Sequence, residues 1–474
     1  AHSAEELFRE INSAKAGIKE AFAHQEEWST PLGSYFTPTP QAKKGKVAFV
    51  YPGGFNSYVG MARDLFHMFP EVADMVKDST SSLKKMMRTH YVYPQTMNAP
   101  DRKAFKDLEA EMGDDAVAMF ESGIMTSILH TRIIQDILGV KPQATFGHSM
   151  GELSMLFSSG AWGNTDYMSN TLHSTDTFHN RLVGEMDVVR KAWDLPPPVE
   201  GEKPIWGTYT LRTSPEEAQA VLAEEDRVFL IIVNAPNEIV IAGDDEACRR
   251  VVKKLKWRLF PVPIKDVVHN ELVKAEFDAL KELHTMDTTH VDGVDFYTAA
   301  NYKKTELKAD VIGHNIATFY TQMVDFPKLV NQVYDDGARI FIELGPQSSC
   351  SKWVSESLKG KEHLAVSINR KGVDDYTSLL RLAAKLTSHG VDMALEKIFP
   401  AATEQKVTKP SLIKPVVMGK KPFAEVLLDS SNRGKFKSQK QEHIVEPVAQ
   451  IKKTQTVKPV QKEQTTATAN NVHK

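Results

Sequence analysis

Five residues, Gly147-His148-Ser149-Met150-Gly151, constrain this chain more than any other stretch. They follow the short β-forming run Ala144-Thr145-Phe146 and precede the helix-like Glu152–Phe157. A Gly-x-Ser-x-Gly between strand and helix bends the backbone so sharply that side chains at the flanking positions would clash. The serine hydroxyl is then presented at the strand's end, with the next backbone N–H, that of Met150, aimed where an oxyanion would develop. The pentapeptide alone also suits an ordinary tight turn around a buried serine; its strand–turn–helix setting favours the nucleophile.

Around this turn, strand-like runs alternate with longer helical stretches: Lys46–Tyr51, Ala144–Phe146, Phe296–Ala299, Arg339–Glu343 and Leu364–Ile368. That rhythm predicts an α/β fold with a parallel sheet. The span 205–262 has a different rhythm. Strand Ile205–Leu211, a helix opened by Ser214-Pro215-Glu216-Glu217, strand Val228–Val233, turn Asn234–Asn237, strand Glu238–Ala242, helix Asp245–Lys256 and strand Arg258–Val262 spell β-α-β-β-α-β, the ferredoxin-like order. The expected organisation is therefore a linker helix and connector at 1–44, a large subdomain at 45–204 and 263–400, and a small ferredoxin-like subdomain at 205–262. A tail occupies 401–474. In the linker, Ser3 and Glu6 form a capping box, and Leu7, Ile11, Ala14, Ile18 and Phe22 share one helical stripe.

Charge separates the tail from the rest. Residues 401–474 hold 14 Lys and Arg against 6 Asp and Glu, within a chain whose formal net charge is −3. With no aromatic residue after Phe436 and no period, this segment buries too little apolar surface to offset its chain entropy and reads as a disordered tail. It lacks the Arg clusters and interleaved aromatics of a nucleic-acid binder. The longest apolar run, Val228–Val233, is far shorter than the roughly 18–20 residues of a membrane span. Only Cys248 and Cys350 are present, which excludes a disulfide framework or cysteine-cluster metal site and fits a reducing cytoplasm. The chain opens on Ala1 rather than Met, as an excised piece of a longer protein would.

A serine hydroxyl needs a base. His269, in Asp266-Val267-Val268-His269, lies just beyond the small subdomain, and spacing alone does not bring it to Ser149. Here a resemblance adds to the residues. Tyr51-Pro52-Gly53-Gly54 is similar to F-P-G-Q, and Gly147–Gly151 with Glu152 to G-H-S-x-G-E. Asn234-Ala235-Pro236 with Ile239–Gly243 is similar to N-x-P-x-x-x-V-x-S-G, Val268-His269 to a histidine motif, and Phe341–Pro346 to F-I-E-x-G-P. In that order along 46–397, the motifs resemble the malonyl/acyl-CoA:acyl-carrier-protein acyltransferase family of fatty acid and polyketide synthases. Within it, the nearest likeness is to the acyltransferase region of omega-3 polyunsaturated fatty acid synthases.

The resemblance implies an α/β-hydrolase-like large subdomain and a Ser149–His269 dyad. It implies an oxyanion hole of the Gly54 and Met150 N–H groups, and a carbonyl near Gly345–Gln347 that orients the histidine. A coenzyme A thioester would be the substrate, with no permanently bound cofactor or metal. An acyl carrier protein, through its phosphopantetheine arm, and other domains of a multidomain synthase would be the partners. Residues 1–40 would pack against a neighbouring domain.

Departures from the family speak to substrate. Malonyl-selective members carry an Arg about 25 residues after the nucleophile, pairing bidentately with the free carboxylate. Counting that far lands on Ser174; a shift that aligns Arg181 with a later family Arg puts His179 there instead. Glu121 stands where the family has a pocket-edge Gln, and an unpaired carboxylate there would oppose a malonyl group. These residues, with Val268, are the candidate substrate contacts. Glu121 and the missing Arg favour a monocarboxylic acyl group over malonyl, whereas Asp266-Val267-Val268-His269 matches neither the common malonyl nor the methylmalonyl version and does not arbitrate. Two other functions remain open: a serine thioesterase, and a non-catalytic docking domain.

Overall fold

Lys46–Tyr51 is apolar on both faces, and after Lys46 every residue of it is buried, as expected of an inner strand of a parallel sheet. The computed structural model describes residues 3–94, 101–258, 260–262 and 266–399, and of the tail only the antiparallel pair Val417–Met418 and Lys421–Pro422. The remaining tail, with the disorder expected of it, lies outside the described residues. All that follows concerns the compact unit Ala1–Pro400.

The strands are β1 (Lys46–Tyr51), β2 (Ala144–Gly147), β3 (Gly207–Leu211), β4 (Val228–Ala235), β5 (Glu238–Gly243), β6 (Asp295–Thr298), β7 (Lys303–Lys304), β8 (Val324–Asp325), β9 (Ala338–Glu343) and β10 (Leu364–Ser367). The helices used below are α1 (Ala4–His24), α2 (Ala116–Thr131), α3 (Gly151–Ser159), α4 (Asp166–Ser174), α5 (Ala309–Tyr320), α6 (Ser349–Ser357) and α7 (Asp375–Ser388).

The large sheet has the order β10-β9-β1-β2-β6-β7, parallel throughout except for the last pair. Tyr51 is level with Gly147, and Val50 with Glu343, so the turns leaving β1, β2 and β9 emerge side by side at the carboxyl edge. That edge is where parallel α/β sheets place their sites. The core is Phe49, Phe146, Phe341 and Trp162 with the inner side of α2, which is buried along most of its length. The carboxyl group of Glu152, on α3, accepts from Ala299 N and from Thr298 Oγ1 at 3.0 Å and ties the elbow helix to the end of β6. Burial pushes that acid up to about 8.

The second, smaller sheet is antiparallel-rich. Its order is β8-β4-β5-β3, with Pro215–Leu222 and Asp245–Lys254 as its helices. Leu259 of the expected last strand, Arg258–Val262, lies outside the described residues, and the described ones form one bridge, Pro261 to Tyr209, with Thr210 N on Phe260 O and Val262 N on Thr208 O. Proline has no N–H to give a ladder, and Pro261 is followed by Pro263. On the outer side of β4, β8 adds a parallel pair, Val324 with Ile232. The small sheet thus borrows a strand from beyond 205–262, which the spacing did not announce.

Helix α1 ends at His24, with Gln25 in the left-handed region at φ 56°. The connector, expected to be irregular, contains a hairpin, Trp28–Ser29 against Tyr35–Phe36. It docks on this same unit: Arg381 Nη2 donates to Pro31 O at 3.3 Å and His389 meets Glu27 at 2.9 Å. Leu7, Phe8, Ile11 and Phe22 of α1 stay exposed. Among the described residues no helix is long and apolar enough to cross a membrane.

Candidate active site

The elbow is built by close approach. A Cβ on Gly147 would lie 2.0 Å from the Gly151 carbonyl carbon, and one on Gly151 would lie 2.1 Å from Tyr51 O. Both obstacles are backbone, so neither position admits a side chain. Between them Ser149 takes φ 53°, a left-handed conformation that a non-glycine residue adopts at a cost. The helix that follows packs its first turn onto β1, and the serine hydroxyl projects into a cleft of about 250 Å³ between the two sheets.

Ser149 Oγ lies 2.7 Å from His269 Nε2. His269 is buried and also left-handed, at φ 57°. Its backbone N donates to Tyr320 O at 2.7 Å, and Nδ1 lies 2.8 Å from Phe319 O. A carbonyl only accepts, so Nδ1 carries the proton and the Nε2 lone pair faces the serine. Burial is the main cause that pushes the imidazole down to about 4, so the ring is neutral at pH 7. The orienting carbonyl is therefore that of Phe319, at the end of α5, and not one from Gly345–Gln347. That segment braces the opposite wall: Gln347 Nε2 donates to Asn56 O at 2.9 Å, and Asn56 Nδ2 to Gly53 O at 3.0 Å.

Gly54 and Met150 both line the cleft beside Ser149, and their N–H groups take no part in the hydrogen bonds that hold the two turns. Gly53 could not carry a side chain, since its Cβ would meet His148 Nδ1 at 2.7 Å. His148 is buried between Phe326 and Trp353 and pairs through Nε2 with Asn234 Oδ1 at 2.9 Å. Asn234, next to last in β4, reaches Glu238, which in turn accepts from Trp353 Nε1 at 2.8 Å. This chain of contacts ties the small sheet to the elbow and gives the Asn-Ala-Pro motif a positioning task.

The wall beyond Ser149 is apolar, with Val117, Phe120, Leu172, Phe178, Val183 and Val268 among its members. No Lys or Arg lines it among the described residues. Two carboxyl groups do, Glu238 and Asp266. Asp266 Oδ1 has no hydrogen-bond partner among the described residues, and burial pushes this acid up to about 6.

Of the expected substrate contacts, Val268 lines the cleft and the other four do not. Ser174 is exposed and donates back to Thr171 O; His179 Nε2 is turned to His173 O. Arg181 pairs with Glu276 at 3.1 Å. Glu121 is buried but not unpaired: Arg88 Nε reaches one oxygen at 2.5 Å, and Ser169 Oγ at 2.5 Å and His173 Nε2 at 3.2 Å reach the other. The expectation of a bare carboxylate facing the acyl group is thus corrected. Arg88 lies far upstream, in a stretch of short helices with no periodic signal, and only a search for a counter-ion to Glu121 could have found it. Asp266 was legible, three residues before His269. No group of three His, Cys, Asp or Glu gathers as a metal would require among the described residues.

No family model matches the chain. Over 400 residues it is 26% identical to a polyunsaturated fatty acid synthase polypeptide of Thraustochytrium sp.; the match covers 81% of this chain and 19% of that much longer protein. It is 23% identical over 328 residues to the malonyl CoA-acyl carrier protein transacylase of Bacillus subtilis, covering 68% of this chain and 93% of that one. Among solved structures, the acyltransferase domain from the second module of the salinomycin polyketide synthase superposes with a TM-score of 0.58 at 20% identity, covering 87% and 86% of the two chains. The malonyl-CoA:acyl carrier protein transacylase of Xanthomonas oryzae gives a TM-score of 0.54 at 16% identity, covering 73% and 98%. These last two likenesses concern the fold.

Proposed function

Because the chain belongs to the acyltransferase family that includes the malonyl-CoA:acyl-carrier-protein transacylases, we propose that it carries an acyl group from a coenzyme A or carrier-bound thioester to an acyl carrier protein through Ser149. The observation that carries this reading is the 2.7 Å contact between Ser149 Oγ and a neutral, oriented His269. His269 Nε2 takes the hydroxyl proton as Oγ attacks the thioester carbonyl. The Gly54 and Met150 N–H groups receive the oxyanion. As the C–S bond breaks, the buried imidazolium returns its proton to the leaving sulfur. A carrier thiol then reverses the steps, its proton passing to Nε2 as its sulfur attacks the ester.

The large part of the fold is assigned as hydrolase-like and the small sheet as ferredoxin-like, with polyunsaturated fatty acid synthesis as the setting. For the acyl group we favour one without a free carboxylate. Among the described residues no Lys or Arg lines the cleft, Asp266 Oδ1 has no hydrogen-bond partner there, and Arg88 is already engaged by Glu121. The B. subtilis relative is named for malonyl transfer, so this is a difference within the family.

Intact-protein mass spectrometry after brief exposure to acetyl-, malonyl- and long-chain acyl-CoA tests both points. We expect an adduct from acetyl or long-chain donors that is absent in Ser149→Ala and is discharged by a carrier protein. A dominant malonyl adduct would overturn the choice of acyl group. Discharge to water as fast as to the carrier would make the protein a thioesterase, and no adduct from any donor would leave a docking domain.

A further inference from the structure

Helix α6 turns two faces to two different cavities. Ser349 and Trp353 line the cleft of Ser149, whereas Ser351, Lys352 and Ser355 line a second one of about 450 Å³ between α6, β10, α7 and the Tyr35 hairpin. Four cations border that second cavity, Lys352, Arg370, Arg381 and Lys385, and no Asp or Glu does. Lys352 shares Glu238 and Glu356. For Arg370, Arg381 and Lys385 no carboxylate lies within 4.0 Å among the described residues. Arg381 gives one Nη to a backbone carbonyl and leaves its buried Nε without a partner, and the hydroxyl of Ser378, 6% exposed, is likewise unpartnered.

Holding several like charges around one concavity raises its potential. The carboxylates that act on them, Glu238 and Glu356 on Lys352, Glu27 on Lys385 and Asp374 on Arg381, stand outside its lining. The N–H groups that open α6 do not add to this field, because Cys350 N and Ser351 N already donate to Glu343. Nor does the chain's own tail suit the cavity, since residues 401–474 carry 14 basic against 6 acidic groups. A small, multiply charged oxyanion does suit it: guanidinium forks match phosphate oxygens, and serine hydroxyls complete their hydrogen bonds.

We propose that this cavity is a phosphate-binding site, separate from the Ser149 cleft, that takes a phosphate ester or diphosphate group. Two sources share that chemistry, the nucleotide end of coenzyme A and an independent phosphorylated metabolite.

Calorimetric titration of the full chain at low ionic strength with pyrophosphate, 3′,5′-ADP and coenzyme A tests it. The expected result is saturable pyrophosphate binding, weakened at least about tenfold in Arg370→Glu and in Lys385→Gln. Ser149→Ala should bind as the parent does, which separates this proposal from the catalytic one. Arg370 is exposed and has no ion pair among the described residues, so melting of that variant should match the parent. Competition by coenzyme A, with a raised KM for acyl-CoA but not for acyl-pantetheine in Arg370→Glu, would identify the nucleotide source. Pyrophosphate binding without such competition would identify a separate metabolite. No saturable binding, or binding undiminished in both variants, overturns the proposal.

Discussion

Replacing Arg88 by Met isolates the ion pair that most changes the reading of this pocket. The Glu121 side chain is 1% exposed and that of Arg88 14%, so solvent screens little of their interaction. Removing the guanidinium leaves a buried carboxylate with only Ser169 and His173 for support. Breaking one side of such a pair costs about 3–5 kcal/mol, a hundredfold or more in the folding equilibrium. Glu121→Leu should cost a similar amount by stranding Arg88. The double variant Arg88→Met/Glu121→Leu should recover most of the loss, because an apolar pair of similar volume carries no desolvation penalty. Urea denaturation of the four proteins reads these differences as shifts in midpoint at constant slope. Neither residue lines the cleft of Ser149, so the ratio of malonyl to acetyl acylation should not change in any variant. Single losses below about 1 kcal/mol would place the pair with ordinary surface bridges and refute the burial argument. A rise in malonyl acylation in Glu121→Leu would mean that the freed Arg88 reaches the acyl group, and the preference for a neutral chain would fall with it.

Three further outcomes follow from other contacts. Gly147→Ala sets a Cβ 2.0 Å from backbone that cannot yield, so its destabilisation should exceed about 4 kcal/mol by chemical denaturation; a well-folded variant would contradict the packing of the elbow. Asn234→Ala leaves the buried His148 Nε2 without its acceptor and should cost about 1–3 kcal/mol while slowing acylation of Ser149. The pH dependence has a definite sign: His269 acts as base only when neutral and burial lowers its proton affinity, so acylation should stay level from pH 8 to about 5 and fall by half near pH 4. A midpoint at the ordinary histidine value, near 6.5, would mean the ring is wet in the working enzyme.

The fold was largely legible because its strands announce themselves. Lys46–Tyr51 emerges with the expected bounds, and the inner strands around it shift by a residue at their ends. The small sheet's alternation was equally clear up to Lys254. It failed at Arg258–Val262, where apolar character suggested a strand and proline removed the donors that a ladder needs. It also missed Val324–Asp325, two residues whose pairing with β4 depends on where α5 delivers the chain and not on local preference. The hairpin at Trp28–Phe36 was hidden by the prolines of the connector around it.

The site divides along a different line. The proposed nucleophile and base, Ser149 and His269, left marks in the sequence, because only certain side chains could serve in those roles. The group that orients His269 is the backbone carbonyl of Phe319, and any residue offers a carbonyl. The physical consequence is larger than the missed assignment. Burial lowers the proton affinity of His269, and the neutral carbonyl behind Nδ1 offsets this less than a carboxylate in that place would. A ring held this way parts readily with a proton, which suits thiol exchange: a thiolate is a far weaker base than the amine or alkoxide that other serine enzymes expel, and it needs only a weak acid to leave. If a carboxylate faced Nδ1 instead, the ring would hold its proton more tightly and return it more slowly to sulfur. Placing one there, by Phe319→Asp or any neighbour, would not reproduce the main-chain geometry, so the sharper comparison is His269→Gln. That variant keeps a hydrogen bond to Ser149 but cannot accept and return its proton, and it should lose acylation by a hundredfold or more, the usual weight of general acid–base catalysis.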